Sequence, residues 1–368
     1  MLVLHAFSSF DPGGQETRFA SIVGCLNPSL KHIVIAMDGR YGAKAGISAP
    51  NVKFLELPIK RGPGEFNFWL LRQSLNNLKP DHLVTYNFGA LEWGISSVGL
   101  GLVHTHVEEG FSSAEAHVRL WRRNLLRRLV FNVCKTRLVT VSNAIASIAN
   151  REWGVSIDKV VNIPNGVDSK RFVPRPLERQ SIFARSPTEI VVGTAARLRP
   201  EKNLGRLIQA FAQLQRSIES HGLNARLVIA GDGDERERLQ NLCTELGVAE
   251  KCLFLGHRND LPLVLPEFDI FAMSSDTEQM PISLIEAMVA GLPAVATGVG
   301  DIPAILGAGN TRFVVPAEPA ELANAITELI LNKESRMKIG AENRERARSK
   351  FSKDAMVLAW NQIYGRSN

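Results

Sequence analysis

Cysteine is scarce in this sequence. Cys25, Cys134, Cys243 and Cys252 stand far apart and form no CxxC pair. That spacing points neither to a zinc knuckle nor to a disulfide framework. Reduced thiols of a cytosolic protein are the expected reading. Long apolar runs are missing as well: no stretch approaches eighteen uncharged apolar residues, so no membrane-spanning helix is expected. The opening MLVLHAFSSFDPGG lacks a basic n-region and reaches a Pro-Gly-Gly turn early. It reads as a first strand rather than a signal peptide. No internal repeat can be quoted between the two halves.

The chain does have length and apolar content. With 368 residues, 45% of them hydrophobic, it exceeds one ordinary α/β unit and suits two domains, each with its own core. The 29 glycines show no collagen-like period and fit a fold with many tight strand-to-helix turns. A formal charge of +6 points to an anionic partner: nucleic acid, an acidic membrane surface or a phosphate-bearing substrate.

Short apolar runs alternate with helical periodicity along the first half. Strands are expected at 1–6, 32–37, 52–57, 82–86, 101–106, 137–141 and 160–163, with helices at 15–26, 65–78, 113–132 and 143–153. The pattern restarts near Glu189 and runs through 348, and a final amphipathic stretch covers 355–364. This alternation predicts largely parallel sheets covered on both faces. The proline-rich stretch after Phe172 reads as an interdomain linker. The expected division is an N-terminal domain 1–170, a linker 171–187, a C-terminal domain 188–352, and a last helix 353–368 packing back on the first domain.

The most informative segment is MSSDTEQMPISLIEAMVAGLPAVAT, residues 273–297. A strand gives way to a polar loop carrying Glu278, Pro281 pre-sets a helix, Glu286 sits mid-helix, and Gly291 stops it. Such a loop lies outside the carboxyl end of a parallel strand, where open α/β sheets bind ligands. Two carboxylates there can accept hydroxyl hydrogen bonds from vicinal diols. Pattern physics alone leaves open that Glu278 merely favours a helix start and that Glu286 is solvated. Earlier, Arg197 and Lys202 follow a strand and precede a helix, a placement suited to a diphosphate. Surface cations at a helix start are the plain alternative. Gly231 and Gly233 form a glycine turn after a strand, weak by itself as a phosphate signal.

Taken together, Glu278, Glu286, Ala287, Met288, Gly291 and Pro293 resemble the signature of the retaining GT-B-fold glycosyltransferases of family 4 (glycosyl transferases group 1). The stretch Thr194–Asn203 resembles that family's Gly-x-x-Arg-x-x-x-x-Lys motif. The resemblance implies a GT-B fold, with two Rossmann-like domains facing each other across a cleft. It implies that Glu286 binds the nucleotide ribose, that Glu278 lies over the donor sugar, and that Arg197 and Lys202 contact the donor diphosphate without a metal. It extends the donor-binding set to Gly231, Gly233, Pro281, Ile282 and Ser283. Two departures stand out: Gln279 replaces the usual glycine, and Gly300–Ala304 lacks the usual acid.

On the N-terminal side the resemblance places Gly13 and Gly14 at the cleft and makes His106 the strand-end histidine that contacts the donor sugar. His106 is expected at the end of strand 101–106, already leaving the pleat, with His104 packed inside. Glu108 or Glu109 is a candidate for touching an acceptor hydroxyl. From His117 to Arg137 the chain carries Arg119, Arg122, Arg123, Arg127, Arg128, Lys135 and Arg137 with no acid, interleaved with leucines and Trp121. The leucines are expected to face the sheet. The basic face leaves open peripheral contact of 117–137 with an anionic membrane or an anionic acceptor.

The expected activity is transfer of a sugar from a UDP- or GDP-type donor to a hydroxyl of a glycan or lipid-linked glycan, in cell-envelope or exopolysaccharide synthesis. No bound cofactor and no nucleic acid are expected. The expected location is cytoplasmic, with the inner face of the cell membrane as an open alternative. Competing readings are a nucleotide-sugar epimerase or hydrolase on the same fold, and a non-catalytic anion- or nucleic-acid-binding α/β protein.

Overall fold

The computed structural model describes residues 1–60, 67–110, 121–134, 136–172 and 181–365. Parts of the expected helices 65–78 and 113–132, and residues 173–180 of the expected linker, lie outside the described residues. The chain divides into two compact units. The first comprises Met1–Asn165 with Lys353–Asn368, the second Gly166–Ser352.

The first unit is a parallel sheet of β1 (Leu2–Phe7), β2 (Lys31–Ala36), β3 (Val52–Phe54), β4 (His82–Tyr86), β5 (Val103–Glu108), β6 (Arg137–Thr140) and β7 (Val160–Asn162). Their order is β3-β2-β1-β4-β5-β6-β7. Its helices are α1 (Gly14–Val23), α2 (Phe68–Leu78), α3 (Glu92–Ser96), α4 (Trp121–Val133), α5 (Asn143–Trp153) and the C-terminal α13 (Lys353–Gly365). Central strands β1 and β4 are almost wholly buried, as strands covered on both faces must be. One apolar layer gathers Leu4, Ile35, Leu71, Leu83 and Trp93. The other gathers Phe7, Phe10, Phe19, Val34 and, from α13, Trp360 and Tyr364. Local sequence sets the helix ends. In α5, Ser142 Oγ accepts the Ile145 N–H at 3.1 Å, and Gly154 leaves the helix at φ 67°, a conformation cheap only for glycine.

The second unit is a parallel sheet of β8 (Glu189–Ala195), β9 (Asn224–Ala230), β10 (Cys252–Gly256), β11 (Ile270–Met273), β12 (Ala294–Thr297) and β13 (Val314–Val315), ordered β10-β9-β8-β11-β12-β13. Helices α6 (Leu204–Glu219), α7 (Arg236–Glu245), α8 (Leu261–Val264), α9 (Ile282–Ala290), α10 (Ile302–Leu306), α11 (Pro319–Leu331) and α12 (Lys333–Lys350) complete it. Helices α6 and α11 press Leu207, Phe211, Leu322 and Ile326 onto one face of the sheet.

Each sheet has one point where the strand order turns back. In the first unit it lies between β1 and β4, in the second between β8 and β11. Crossovers leave these neighbours in opposite directions, so a crevice opens at their carboxyl ends, the usual place for a ligand in such sheets.

Candidate functional site

At the second unit's switch point the loops after β8 and β11 are bonded to each other. Lys202 Nζ donates to Glu278 Oε1 at 2.6 Å, and Ser275 Oγ donates to the same oxygen at 2.8 Å. The Asp276 amide donates to the Glu201 carbonyl at 2.9 Å. Asn203, left-handed at φ 41° as it starts α6, donates its amide to Asp276 Oδ2 at 3.0 Å. Arg206 reaches Asp276 Oδ1 at 2.7 Å and the Ser274 carbonyl at 2.7 Å. Thr297 Oγ1, from β12, holds the Ser275 carbonyl at 2.7 Å. Lys202 and Glu278 therefore sit on a doubly fastened frame. Charge-assisted bonds of this kind are the strong ones.

Glu286 lies on α9, half-buried. Burial pushes its carboxyl up to about 7, against the opposing charge of Arg171. Helix α9 begins directly after Pro281 and has no side-chain cap. Its first amides, from Ile282 and Ser283 on, are thus the kind of donors that favour an anion. Gly291 ends the helix at φ 84°.

The glycine turn after β9 has a steric cause. A Cβ at Gly231 would stand 1.8 Å from the Ala196 carbonyl oxygen, and one at Gly233 would stand 2.4 Å from that of Leu198. The turn packs against the loop that carries exposed Arg197, and the Leu198 amide donates to the Asp232 carbonyl at 3.0 Å. Asp232 and Asp234 form an Asp-x-Asp pair behind β9. The Asp232 carboxylate accepts from the Gly233 amide at 2.9 Å and from Arg236 at 3.3 Å. Among the described residues no three His, Cys, Asp or Glu side chains gather as a metal-holding group. Gly300 also closes on the site: a Cβ there would lie 1.8 Å from the Glu278 carbonyl oxygen, and the Asp301 amide donates to the Gln279 carbonyl at 3.2 Å. Both departures from the family pattern thus meet in one clasp, with Gly300 fitted against Glu278 and Gln279.

The first unit's switch point centres on a residue that sequence reasoning missed. Asn87, directly after β4, has φ 53° and ψ 175°, a region that is nearly exclusive to glycine and costs about 1–3 kcal/mol. It is held there from three sides. Its amide donates to the Val107 carbonyl at 2.8 Å, its Nδ2 to Gln15 Oε1 at 2.5 Å, and its Oδ1 accepts the Glu109 amide at 2.9 Å. Gly13 and Gly14 start α1 beside Gln15. A Cβ on Gly13 would meet Glu16 Oε2 at 2.5 Å, while Gly14 has open space. Glu109 is paired with Arg18 at 2.7 Å, both nearly inaccessible. The available signal was an asparagine between a strand and a glycine, since asparagine tolerates positive φ.

His106 does not stand past its strand. β5 runs on to Glu108, because β6 continues pairing through Glu108 and Thr140, so His104 and His106 share a face. Thr85 Oγ1 bonds both rings, at 2.9 and 2.8 Å, and His106 Nε2 lies 3.4 Å from Glu108 Oε2. Nearby, His5 and His32 share a hydrogen bond at 2.9 Å, and His82 bonds Thr105 at 2.9 Å. Five histidines thus lie buried within one sheet. Burial drives His5 and His104 well below the ordinary imidazole value, and His32 and His82 to about 4.

Helix α4 overturns a second expectation. Leu125 and Leu129 do not face the sheet. Arg127, Val130 and Phe131 are buried, whereas Trp121, Leu125, Leu129 and Val133 are 69, 59, 51 and 58% exposed. Arg127 Nε lies 3.3 Å from Glu108 Oε2, and its guanidinium sits over the Phe88 and Trp153 rings at 5.0 and 4.7 Å. The inward position goes to the cation because Glu108 and two aromatic faces are there to receive it. Of the run 117–137, residues 117–120 and 135 lie outside the described residues. Among the described residues no helix is long and apolar enough to cross a membrane.

Two doubly wound units, one with a cation–carboxylate pair at its switch point, define a two-unit, doubly wound α/β protein. Comparison with known proteins narrows the class. Residues 178–346 match the family described as Glycosyl transferases group 1, and residues 12–171 match Glycosyltransferase Family 4. A UDP-Gal:alpha-D-GlcNAc-diphosphoundecaprenol alpha-1,3-galactosyltransferase of Escherichia coli is 32% identical over 172 residues, 45% of this chain and 43% of that protein. A GDP-mannose-dependent alpha-(1-6)-phosphatidylinositol monomannoside mannosyltransferase of Mycobacterium tuberculosis is 30% identical over 210 residues, 53% of each. The chain spans about half the length of the curated relatives it matches. In structure, Anabaena HepE in complex with UDP and glucose superposes with a TM-score of 0.78 at 21% identity, covering 99% of this chain and 98% of that one. The chain belongs to the GT-B-fold glycosyltransferase superfamily.

Proposed function

We propose that the protein is a retaining, metal-independent glycosyltransferase. It moves a sugar from a nucleotide-diphosphate donor, of the UDP or GDP type, to a hydroxyl of a glycan or lipid-linked glycan in cell-envelope or exopolysaccharide synthesis. The observation that carries this reading is the pairing of Lys202 with Glu278 at 2.6 Å on the frame at the β8/β11 switch point. A lysine has three donors and Glu278 uses one. The others suit a phosphate oxygen, and exposed Arg197 adds a second cation from the same loop. Together they neutralise the charge that develops on a leaving diphosphate, usually the largest catalytic contribution. Glu278 retains an oxygen for a hydroxyl of the donor sugar. Glu286, midway along α9, accepts the ribose hydroxyls, and the amides of Ile282 and Ser283 face the phosphates. Gly231 and Gly233 set the loop that presents Arg197.

On the acceptor side we assign Gly13, Gly14 and the end of β5 to substrate contact; His106, wholly buried with its ring nitrogens at Thr85 and Glu108, supports that strand end instead of touching the sugar. The exposed apolar stripe of α4, flanked by the exposed cations Arg122 and Arg128, fits an anionic lipid surface, where charge and apolar area act together. We therefore place the enzyme in the cytoplasm, at the inner face of the cell membrane, with no nucleic-acid partner. The relatives named above include transferases acting on a diphosphoundecaprenol and on a phosphatidylinositol monomannoside, which supports a lipid-linked acceptor. The test is calorimetric binding of UDP and GDP to wild type and Glu286→Ala. Binding of one nucleotide, weakened in the variant, is expected. Equal binding by both proteins would remove Glu286 from the site.

A further inference from the structure

At the amino edge of the first unit's sheet, where β5 and β6 begin, lies a groove of about 770 Å³. Val98, Val133, Cys134, Arg137, Asp158 and Lys159 are on its lining. It is at the opposite edge from the switch-point site, since all strands are parallel.

Arg137 opens β6, and its Nη1 is buried with no hydrogen-bond partner. A guanidinium keeps its charge and offers donors in a fixed fork, and an unpartnered buried donor calls for a water or an ion to complete it; beside an open groove an anion fits that charge. Lys159 is exposed on the same lining. Asp158 adds an exposed carboxylate to the lining, one oxygen of which accepts the Ser156 hydroxyl, so Arg137 and Lys159 leave the lining net positive. The groove also continues an apolar track. Val133 is the last member of the exposed stripe Trp121, Leu125, Leu129 and Val133, and Val98 on the lining is likewise exposed. An apolar track that ends at an unsatisfied cation has the chemistry of a lipid: chain along the track, phosphate at the end.

We propose that this groove seats the phosphate of an anionic lipid headgroup, with Arg137 as its forked partner and Lys159 as the second cation. The α4 stripe then lies at the acyl boundary. This rests on the membrane reading of α4 above and adds the headgroup site to it.

Cys134 is a built-in reporter, half-buried on the lining, while exposed Cys25 serves as reference. The experiment follows maleimide labelling of both thiols by peptide mass spectrometry, with phosphatidylcholine vesicles that contain or lack phosphatidic acid. Vesicles with phosphatidic acid are expected to slow Cys134 labelling about tenfold, the order expected from one or two cations near an anionic surface, and to leave Cys25 unchanged. Arg137→Gln is expected to erase that slowing while vesicle co-sedimentation persists through the stripe. Lys159→Gln, at an exposed position, should reduce the slowing in a chain whose fold is untouched. Co-sedimentation with unchanged Cys134 labelling would overturn the headgroup site and leave the membrane reading standing. Equal protection by inorganic phosphate would overturn the lipid as its source. Absence of any vesicle binding would overturn both, with the transferase reading still judged by donor binding.

Discussion

Lys202 Nζ and Glu278 Oε1 meet at 2.6 Å, although 76 residues separate them and each stands on a different strand's loop. Their meeting depends on the β8/β11 reversal and on Asp276, which Asn203 and Arg206 tie down. Glu278→Gln is expected to lower kcat by about 10²-fold or more with nucleotide affinity nearly unchanged, because the contact proposed for it is to the sugar. Arg206→Met, which touches only the frame, should reduce kcat less and raise KM. Donor-saturation kinetics on both variants check the split.

Glu286 gives a pH-dependent prediction with a definite sign. Its carboxyl is raised to about 7 in the fold against roughly 4.3 in an unfolded chain. The folded state therefore binds the extra proton between those values, and this group's contribution to stability declines as pH rises through them. Glu286→Gln should raise the melting temperature at pH 8 and do little at pH 4. The ionised form accepts hydroxyl bonds more strongly than the neutral one, so nucleotide affinity should strengthen from pH 6 to pH 8 in wild type and stay flat in the variant. Calorimetric titration across that range decides it.

The buried histidines act the other way. His32 and His82 fall to about 4, below the ordinary value of about 6.5, so the unfolded chain takes up protons first as pH drops. Their contribution to stability is complete above pH 6.5 and is lost as pH falls from there toward 4. Urea unfolding should show a lower midpoint at pH 5 than at pH 7.5. His82→Gln should reduce the difference by the share of one histidine.

Helix α4 yields a reversal of the usual pattern. Arg127→Met leaves Glu108 buried without its cation and should cost about 3–5 kcal/mol. Leu125→Glu and Leu129→Glu, at exposed positions, should change stability by only about 0.5 kcal/mol either way and abolish vesicle binding. Thermal melts and co-sedimentation on the same samples test both halves.

Glycine substitutions separate packing from ligand approach. Gly231→Ala must displace the Ala196 carbonyl 1.8 Å from the new carbon and should cost about 1–3 kcal/mol or more. Gly14→Ala meets open space inside a helix and should be neutral or stabilising by up to about 1 kcal/mol. A large loss of activity in Gly14→Ala with stability intact would place that glycine against a substrate.

The strands and helices of both units were legible because period and length agree there: β1, β4, β8 and β9 are apolar runs bounded by turn residues, and α9 carries proline before it and glycine after it. The segment 273–297 was legible for the same reason, as an acid-bearing loop between a strand and a helix. Three features were not. The end of β5 depends on how far β6 extends its pairing, which no local signal near His106 reports. The inward face of α4 follows from Glu108, Phe88 and Trp153, distant in sequence, so periodicity assigned Leu125 and Leu129 to the wrong side. Asn87 is held strained by partners on α1, on β5 and just past the end of β5, and a single asparagine carries little warning of that.

The most direct test of the central claim is a donor panel of UDP-, GDP- and ADP-sugars, followed by calorimetry and product release, on wild type and on Glu286→Ala. The account predicts that one nucleotide class binds and that the variant weakens it about tenfold or more, in line with loss of hydrogen bonds to a charged group. Wild-type protein that binds no member of the panel would contradict the account and leave a GT-B scaffold put to another use.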